Sequence, residues 1–470
     1  MQLKDILKDV NAACGARWPH AETAAHKCDQ VSALIVQLDE LKPAFKQLKN
    51  EKQECARQFG AAKAEHRDTE PLRQKMQQIS ARLDYIETQR KQIEAALLDF
   101  FSDDEPGKND SATLPRQFIA FEREVKPPLS VREISDDEGI AWDAYVDAHP
   151  NASLYHHYCW RDIVVRSFNH ETIYVAAYDA NNVICGILPL VRLRSKLFGD
   201  FAVSVPFFNY GGPLADNMAT AQVLLDAAAQ YARKIELGHI EIRSTRTWND
   251  WPCRTDKASM IRRLPVDGAT LDQELGAKVR AQIKRGQQEN PQIAIGGVEL
   301  LDDFYRVFAI NMRDLGTPVY SKDFFRNILV TLGDSAHLVI VKLRGKPVAT
   351  AFLLGHRELM EIPWASTLRS VNALNMNMVL YRAVLGFCIE RGFRFFDFGR
   401  STRGAGTYQF KKQWGAEPLQ HYWHYWLADG GPLPELKPDS PKFRFLIACW
   451  QRMPVALSRI IGPHIVKYLP

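Results

Sequence analysis

Phe395-Phe396-Asp397-Phe398-Gly399-Arg400-Ser401-Thr402-Arg403-Gly404-Ala405-Gly406-Thr407-Tyr408-Gln409-Phe410-Lys411-Lys412-Gln413-Trp414-Gly415 is the stretch from which the rest of the chain is best read. It begins as a short aromatic strand with one acid, Asp397, near its end. It turns through Gly-Arg-Ser and Gly-Ala-Gly, then resumes as a helix or strand carrying two lysines. Glycine lets backbone approach a ligand closely, and Arg400, Arg403, Lys411 and Lys412 set positive charge beside it. A strand end running into a Gly-rich basic turn is a usual place for a ligand in α/β proteins. The competing reading is a solvated basic loop.

Upstream of this stretch the pattern is mixed α/β. Helices are expected at Ala141 to Ala148 and Tyr158 to Ser167, and a hairpin at Thr172 to Tyr178 and Val183 to Leu193. A strand at Phe201 to Phe208 leads to Tyr210-Gly211-Gly212-Pro213, and a helix from about Thr220 to Glu236 precedes a strand at His239 to Arg243. A second run follows in similar order. It has helices at about Gln273 to Glu289, Leu301 to Leu315 and Lys322 to Leu332, strands at His337 to Leu343, Ala349 to His356 and Leu359 to Ala365, and a helix at Met376 to Arg391. His421 to Trp426 is expected to close the second sheet.

The first hundred residues differ. Val31, Leu34, Leu38, Leu41, Phe45, Leu48, Cys55 and Phe59 form one heptad-like seam, and Leu72, Met76, Ile79, Leu83, Ile86, Ile93 and Leu97 a second. Asp68 or Thr69 caps the second helix, with Pro71 in its first turn. An antiparallel hairpin bent near Pro43 is expected. It loosely resembles the coiled-coil arm of seryl-tRNA synthetases. Acids and bases nearly balance along it, which favours a protein partner or homodimer over tRNA. The expected divisions are 1–102 (hairpin about 30–100), a linker at 103–127, domains at 128–270 and 271–427, and a basic aromatic tail at 428–470.

At 470 residues the chain exceeds one core. A net charge of +5 permits anionic ligands without arguing for a nucleic-acid binder. Eight scattered cysteines with no Cys-x-x-Cys read as reduced thiols, not a disulfide frame or zinc site. Met1 to Val10 lacks a signal-peptide core and no apolar run is long enough to span a bilayer, so a cytoplasmic protein is expected.

Phe-Asp-Phe-Gly-Arg-Ser, followed by Gly-Thr-Tyr-Gln-Phe-Lys-Lys-Gln-Trp-Gly, resembles the signature of the FemAB-like transferases associated with exosortase (PEP-CTERM) systems. These belong to the Fem/GNAT superfamily, whose Phe-Lys-x-x-(aromatic)-Gly motif is matched by Phe410 to Gly415. The similarity runs over roughly residues 128 to 465, with Tyr210 to Pro213 and Asn311 to Pro318 as further matching pieces. It implies an α/β (α+β) fold of two tandem GNAT-like domains behind the coiled-coil hairpin. It also implies an N-acyl or aminoacyl transferase acting on a phosphate-bearing cell-envelope or exopolysaccharide precursor, possessing no tightly bound cofactor and no metal. The activated acyl donor would be aminoacyl-tRNA or acyl-CoA.

Acyl transfer to an amine needs donors for the carbonyl oxygen and a frame holding both substrates, and no covalent nucleophile. By resemblance Lys411 is the oxyanion or phosphate contact, with Lys412 as its neighbour. Asp397 orients a substrate amine or Arg400, the third catalytic candidate; a structural salt bridge is the alternative for Asp397. Ser401, Arg403 and Gly404 join the substrate-binding set. Lys278, Arg280, Lys284 and Arg285 form a second basic constellation suited to a diphosphate, with 280 and 284 on one helix face; the alternative is a solvated face. A GNAT pyrophosphate loop is expected just before Met376, but Asn372-Ala373-Leu374-Asn375 holds no glycine. This disfavours acyl-CoA, and Asn375 is kept as a substrate contact. Tyr155, Tyr158 and Trp160, with His156 and His157, are candidates for an acceptor groove, against plain core packing, and Tyr210 joins the substrate-binding set. The tail from Pro441 to Pro470 carries five cations, no acid and interleaved apolar residues, which suits an anionic membrane surface or packing on the domains. A CoA-dependent acyltransferase and a non-catalytic assembly factor are the remaining alternatives.

Overall fold

The structure, a computed structural model, describes residues 21–65, 68–100, 113–195, 198–248, 250–428, 430–431, 433–434 and 441–469. The chain divides into two compact units, residues 1–113 with 402–409, and residues 114–401 with 410–470.

In the first unit, α1 (Ala21–Ala64) and α2 (Glu70–Phe100) form the expected hairpin. Asp68 accepts the Glu70 N–H at 3.0 Å, as a capping residue should. Leu48, Cys55 and Ile79 are buried in the seam with Leu72, Met76, Leu83 and Ile86 against them. The helical span of α1 includes Pro43, the position where a bend is expected. Val31 and Leu34 of the expected seam lie where side chains are not described.

The second unit holds two sheets. The strands of its earlier part are β1 (Ser130–Glu133), β2 (Glu171–Tyr178), β3 (Ile184–Ser195), β4 (Gly199–Val203), β5 (Leu214–Ala215), β6 (His239–Ser244), β7 (Cys253–Arg254) and β8 (Lys257–Arg263). Between them lie α3 (Gly139–Ala148), α4 (Cys159–Phe168) and α5 (Met218–Lys234). The later part has α6 (Gly268–Glu274), α7 (Ala277–Gln287), β9 (Gln292–Gly296), α8 (Leu301–Leu315), α9 (Lys322–Leu332), β10 (Ala336–Leu343), β11 (Lys346–His356), β12 (Leu359–Thr367) and α10 (Met376–Glu390). After β13 (Phe395–Thr402) come α11 (Gly406–Lys412), β14 (Glu417–Gln420), β15 (Tyr422–Leu427), α12 (Pro441–Gln451) and α13 (Val455–Val466).

The first sheet runs β1-β2-β3-β4-β6-β15-β7, with β5 beside β3; the second runs β14-β8-β13-β12-β11-β10-β9. The two halves therefore trade strands. β8, expected in the first domain, pairs with β14 in the second sheet. β15, expected to close the second sheet, pairs with β6 in the first. Its side chains explain the correction: Trp426 packs into the first half's core, and the Tyr425 hydroxyl donates to Glu241 at 2.9 Å. A cross-half core seals the exchange, with Tyr155, Trp160 and Phe208 in one cluster with Phe304, Phe325 and Phe352.

Four further expectations are adjusted. The strand expected at 201–208 ends at Val203, because Val205 and Phe207 take positive φ of 50° and 76° and turn the chain. The helix expected at 273–289 breaks at Leu275, whose extended backbone separates α6 from α7. Residues 114–127, expected as linker, lie on the second unit: Arg123 pairs with Asp216 at 3.0 Å and Phe118 packs edge-on to Tyr210 at 5.3 Å. The tail folds as α12 and α13 against α8, where Arg459 covers the Tyr305 ring and Arg313 donates to the Met453 carbonyl. No described helix is long and apolar enough to cross a membrane.

Among the described residues each half shows a brief parallel strand pair. β4 meets β6 over Phe201↔His239 to Val203↔Glu241. β12 meets β13 over Leu359↔Phe395 to Glu361↔Asp397. In both the last rung carries an acid, beyond which the regular pairing stops. The carboxyl ends of parallel strands are where open α/β sheets place ligands.

Candidate active site

The second pair puts two carboxyl groups side by side, both fully buried. Asp397 accepts the Gly399 N–H at 2.7 Å, and the Ser259 hydroxyl and Met260 N–H also bond to it. His421 Nε2 lies 3.0 Å from the Ser259 Oγ. Glu361 accepts Tyr155 and Tyr210 hydroxyls at 2.5 and 3.1 Å on one oxygen and the Asn209 amide at 3.0 Å on the other. Burial raises both acids above the ordinary carboxyl range, and for Glu361 the Asp397 charge adds to it. Each acid has at least three donors, but the Lys411 charge also favours the ionised Asp397, so Glu361 holds the proton the pair shares. Tyr155, Asn209 and Tyr210 come from the first half, so this cluster also ties the halves together.

Past Asp397 the strand bends at Gly399, with φ of +74°. Lys411 Nζ donates to the carbonyls of Gly399 and Arg400 at 2.8 and 2.9 Å. Burial lowers its pKa to about 8, with the Asp397 charge opposing the fall. The motif around Lys411 accounts for its aim. Phe410 and Trp414, one helical turn apart, pack on Tyr381 of α10 at 5.2 and 5.8 Å, and Gly415 at φ +78° ends the turn.

Arg400 is the product of this frame. It is solvent-accessible, yet protein surrounds it closely enough that burial, then the Arg243 charge, lowers its pKa to about 10. Its guanidinium lies over Trp423, 5.0 Å from the ring centroid, and among the described residues no carboxylate pairs with it. Ser401 is buried, with its hydroxyl unpartnered.

The first half carries the same strand end one residue shorter. Glu241-Ile242-Arg243-Ser244 matches Asp397-Phe398-Gly399-Arg400-Ser401, less the glycine. Two residues apart on a strand share a face, so Arg243 folds onto its own acid: Nε to Glu241 at 2.6 Å and Nη1 to the Phe208 carbonyl at 2.7 Å, with 2% of the residue exposed. Arg243 also lies over Trp423, at 4.4 Å. The inserted Gly399 lets Asp397 take a backbone N–H instead and frees Arg400. One half spends its arginine internally; the other presents it.

Residues 277–412 match the acetyltransferase (GNAT) domain family, and residues 8–103 match the seryl-tRNA synthetase N-terminal domain. The first match supports an acyltransferase. No curated protein sequence matches the chain. Similar solved structures include FemX (14% identity, 63% of this chain and 96% of that one, TM-score 0.46). A tandem GNAT protein from the clavulanic acid biosynthesis pathway follows at 13%, 65%, 100% and 0.42. The C-terminal domain of a putative lysylphosphatidylglycerol synthetase from Agrobacterium fabrum gives 13%, 62%, 92% and 0.42. At such values the site has to be read from the chain itself.

Of the expected residues, the structure brings Asp397, Arg400, Ser401, Lys411 and Tyr210 together at the GNAT-type half's strand end. Arg403 and Gly404 fall in the 402–409 segment, grouped with the arm, and Lys412 is exposed at the end of α11. Lys278, Arg280, Lys284 and Arg285 are exposed on α7; Arg280 caps the preceding turn through the carbonyls of Gln273 and Leu275. Three aromatic candidates are corrected. Trp160 is wholly buried, its indole N–H on the Leu154 carbonyl and its ring against Phe208, because the cross-half core claims it. Tyr158 packs its ring on Trp142 and Tyr174. Tyr155, an expected acceptor-groove aromatic, is buried and donates its hydroxyl to Glu361. Glu361, Asn209, Ser259, Arg243 and Trp423 were not anticipated. Glu361 alone had a visible signal, an acid within the apolar Leu359-Met360-Glu361-Ile362.

Proposed function

We propose that the chain moves an activated acyl or aminoacyl group onto an amine of a phosphate-bearing cell-envelope or exopolysaccharide precursor. The observation behind this reading is Arg400, a recessed, accessible guanidinium that no carboxylate pairs with among the described residues, held on a turn braced from both sides. A guanidinium fork suits phosphate oxygens. Asp397 and Lys411 act through the turn: one holds the Gly399 N–H, the other its carbonyl and that of Arg400. In the reaction the amine nitrogen forms the new C–N bond, the donor's C–O or C–S bond breaks, and the proton the amine gives up ends on the departing oxygen or sulfur. No enzyme-bound acyl intermediate is needed. The association with exosortase systems rests on the motif resemblance. Mass spectrometry of envelope and polysaccharide precursors from cells with and without the protein, and with Arg400→Ala, tests the proposal. Identical precursor sets in all three would overturn it.

For the donor, acyl-CoA gains support from one local feature. Asn375 takes the left-handed conformation, φ +56°, at the start of α10. Asparagine supplies the turn that a glycine would otherwise give there. Gly286 of basic α7 packs on that start: a Cβ at Gly286 would lie 3.1 Å from the Asn375 carbonyl. Lys284 and Arg285 are therefore on a helix touching the N-terminus best suited to a pyrophosphate. The similarity of the arm to a seryl-tRNA synthetase domain supports aminoacyl-tRNA instead. Titration with acetyl-CoA separates the two, since micromolar binding lost in Lys284→Ala/Arg285→Ala would establish the thioester donor.

A further inference from the structure

The C-terminal helices supply a surface that the acyl-transfer reading does not use. Residues 441–470 hold Lys442, Arg444, Arg452, Arg459 and Lys467 and no acid. α13 is fixed by one face: Ser458 and Val466 are buried, and Gly462 sits so close to the Val319 backbone that a Cβ would lie 2.8 Å from its nitrogen. The Lys467 carbonyl meets His170 Nε2 at 2.7 Å. The opposite face presents Leu457 and Ile460, 43% and 66% exposed, one turn apart. Beside Ile460 a surface hollow of about 380 Å³ is lined by Tyr305, Ser321, Lys322, Arg459 and Pro463. Lys322 is paired with Asp302. Arg459, over the Tyr305 ring, has no carboxylate partner among the described residues.

We propose that α13 docks on an anionic phospholipid bilayer, with Leu457 and Ile460 entering the interface and Arg459 taking a lipid phosphate at the mouth of the hollow. Charge decides the occupant: the segment 441–470 carries five cations and no acid, and the acids beside the hollow, Asp302 and Asp323, are already paired with Lys322 and Arg326, which suits a negatively charged leaflet. Each basic residue close to such a leaflet multiplies partitioning about fivefold, and salt removes most of that gain.

The test is co-sedimentation of the full chain with vesicles of phosphatidylcholine alone or containing about one third phosphatidylglycerol. Binding should require the anionic lipid and fall steeply with added salt. Leu457→Ser/Ile460→Ser, at exposed positions that leave the buried face intact, should weaken it about tenfold or more with an unchanged melting temperature. Glycerol phosphate in solution should compete weakly. Equal sedimentation with both lipids, or no effect of the double substitution, would overturn the proposal. Full competition by glycerol phosphate would reassign the hollow to a free anion and also remove the bilayer.

Discussion

Replacing Gly399 by alanine tests the idea that one inserted glycine creates the anion site. At φ +74° an L-residue costs about 1–2 kcal/mol. The new Cβ would also lie 3.1 Å from the Ile362 carbonyl, a backbone atom of β12 that must give by a few tenths of an ångström, for about 1 kcal/mol more. Gly345, in the β10–β11 turn, has the same φ of +74° and nothing within 4 Å of its Cβ position. Gly345→Ala therefore carries only the conformational cost. Urea midpoints should put Gly399→Ala about 2–3 kcal/mol below the parent and Gly345→Ala about 1–2. The functional difference should be larger. Moving the Gly399 and Arg400 carbonyls off Lys411 misplaces the guanidinium, and a charged hydrogen bond is worth about 1.5–3 kcal/mol. Calorimetric titration with pyrophosphate should show affinity reduced about tenfold or more in Gly399→Ala and unchanged in Gly345→Ala. Deleting Gly399 would bring the arginine to two residues after Asp397, the spacing at which Arg243 pairs with Glu241, and should abolish binding. If both alanine variants bind and unfold alike, the glycine does not set the arginine and the argument fails.

Arg400→Lys should also lose pyrophosphate affinity, about tenfold, because an ammonium cannot reproduce the planar fork; equal binding would show that charge alone suffices. Glu361→Ala leaves two tyrosine hydroxyls and an amide without their acceptor and should destabilise by about 3–5 kcal/mol, whereas Glu361→Gln, which mimics the protonated acid, should cost less than about 2 kcal/mol in a urea series. The pH dependence carries a definite sign. Both acids have folded pKa values above their unfolded ones, so the native state binds more protons in the window between them. Their contribution is complete below the ordinary carboxyl range and is lost as pH rises through the raised values. Urea midpoints across that window should fall in the parent and flatten in Glu361→Gln; a parallel fall in both would exclude the pair as its source. In the arm, Leu48→Ala empties a buried seam position and should cost about 2–5 kcal/mol. Hydrogen exchange should report the loss in α1 and α2 and leave the sheets protected.

The elements that could be read early are those fixed by local pattern. The β2–β3 hairpin, strands β10 to β12, α5, the helix from Met376 and the described part of the arm's seam follow from apolar periodicity and turn residues, and the structure contains them. The acid, glycine, arginine and lysine of the decisive stretch are brought together because one strand, one turn and one helix carry them all. What stayed hidden depends on partners distant in sequence. Nothing local says that Trp423 must carry two guanidiniums, from residues 243 and 400, near its ring, or that Tyr155 should meet Glu361. The strand trade is equally silent, since β8 and β15 look like members of the nearer sheet until Trp426 and Tyr425 find their places in the other.

The duplication itself was weak in sequence for a reason that bears on function. Aligning Glu241-Ile-Arg-Ser with Asp397-Phe-Gly-Arg-Ser requires a gap, and the gap falls on the one residue that separates the two roles. In the half without it, acid and arginine satisfy each other and Tyr425 completes the cluster, so that strand end is electrically closed. In the half with it, the acid bonds backbone, Lys411 takes up the carbonyls of Gly399 and Arg400, and Arg400, with the Arg243 charge near it, has no carboxylate within pairing distance among the described residues. Such a charge is costly in the free protein and is relieved by an anion. On the proposed reading, the same insertion that blurs the repeat is what opens one half to an anion, and it predicts the reciprocal experiment. A glycine inserted between Ile242 and Arg243 should release Arg243 from Glu241 and add a pyrophosphate site detectable in an Arg400→Ala background. No recovered binding in a folded variant would show that the first half lacks the rest of the cleft.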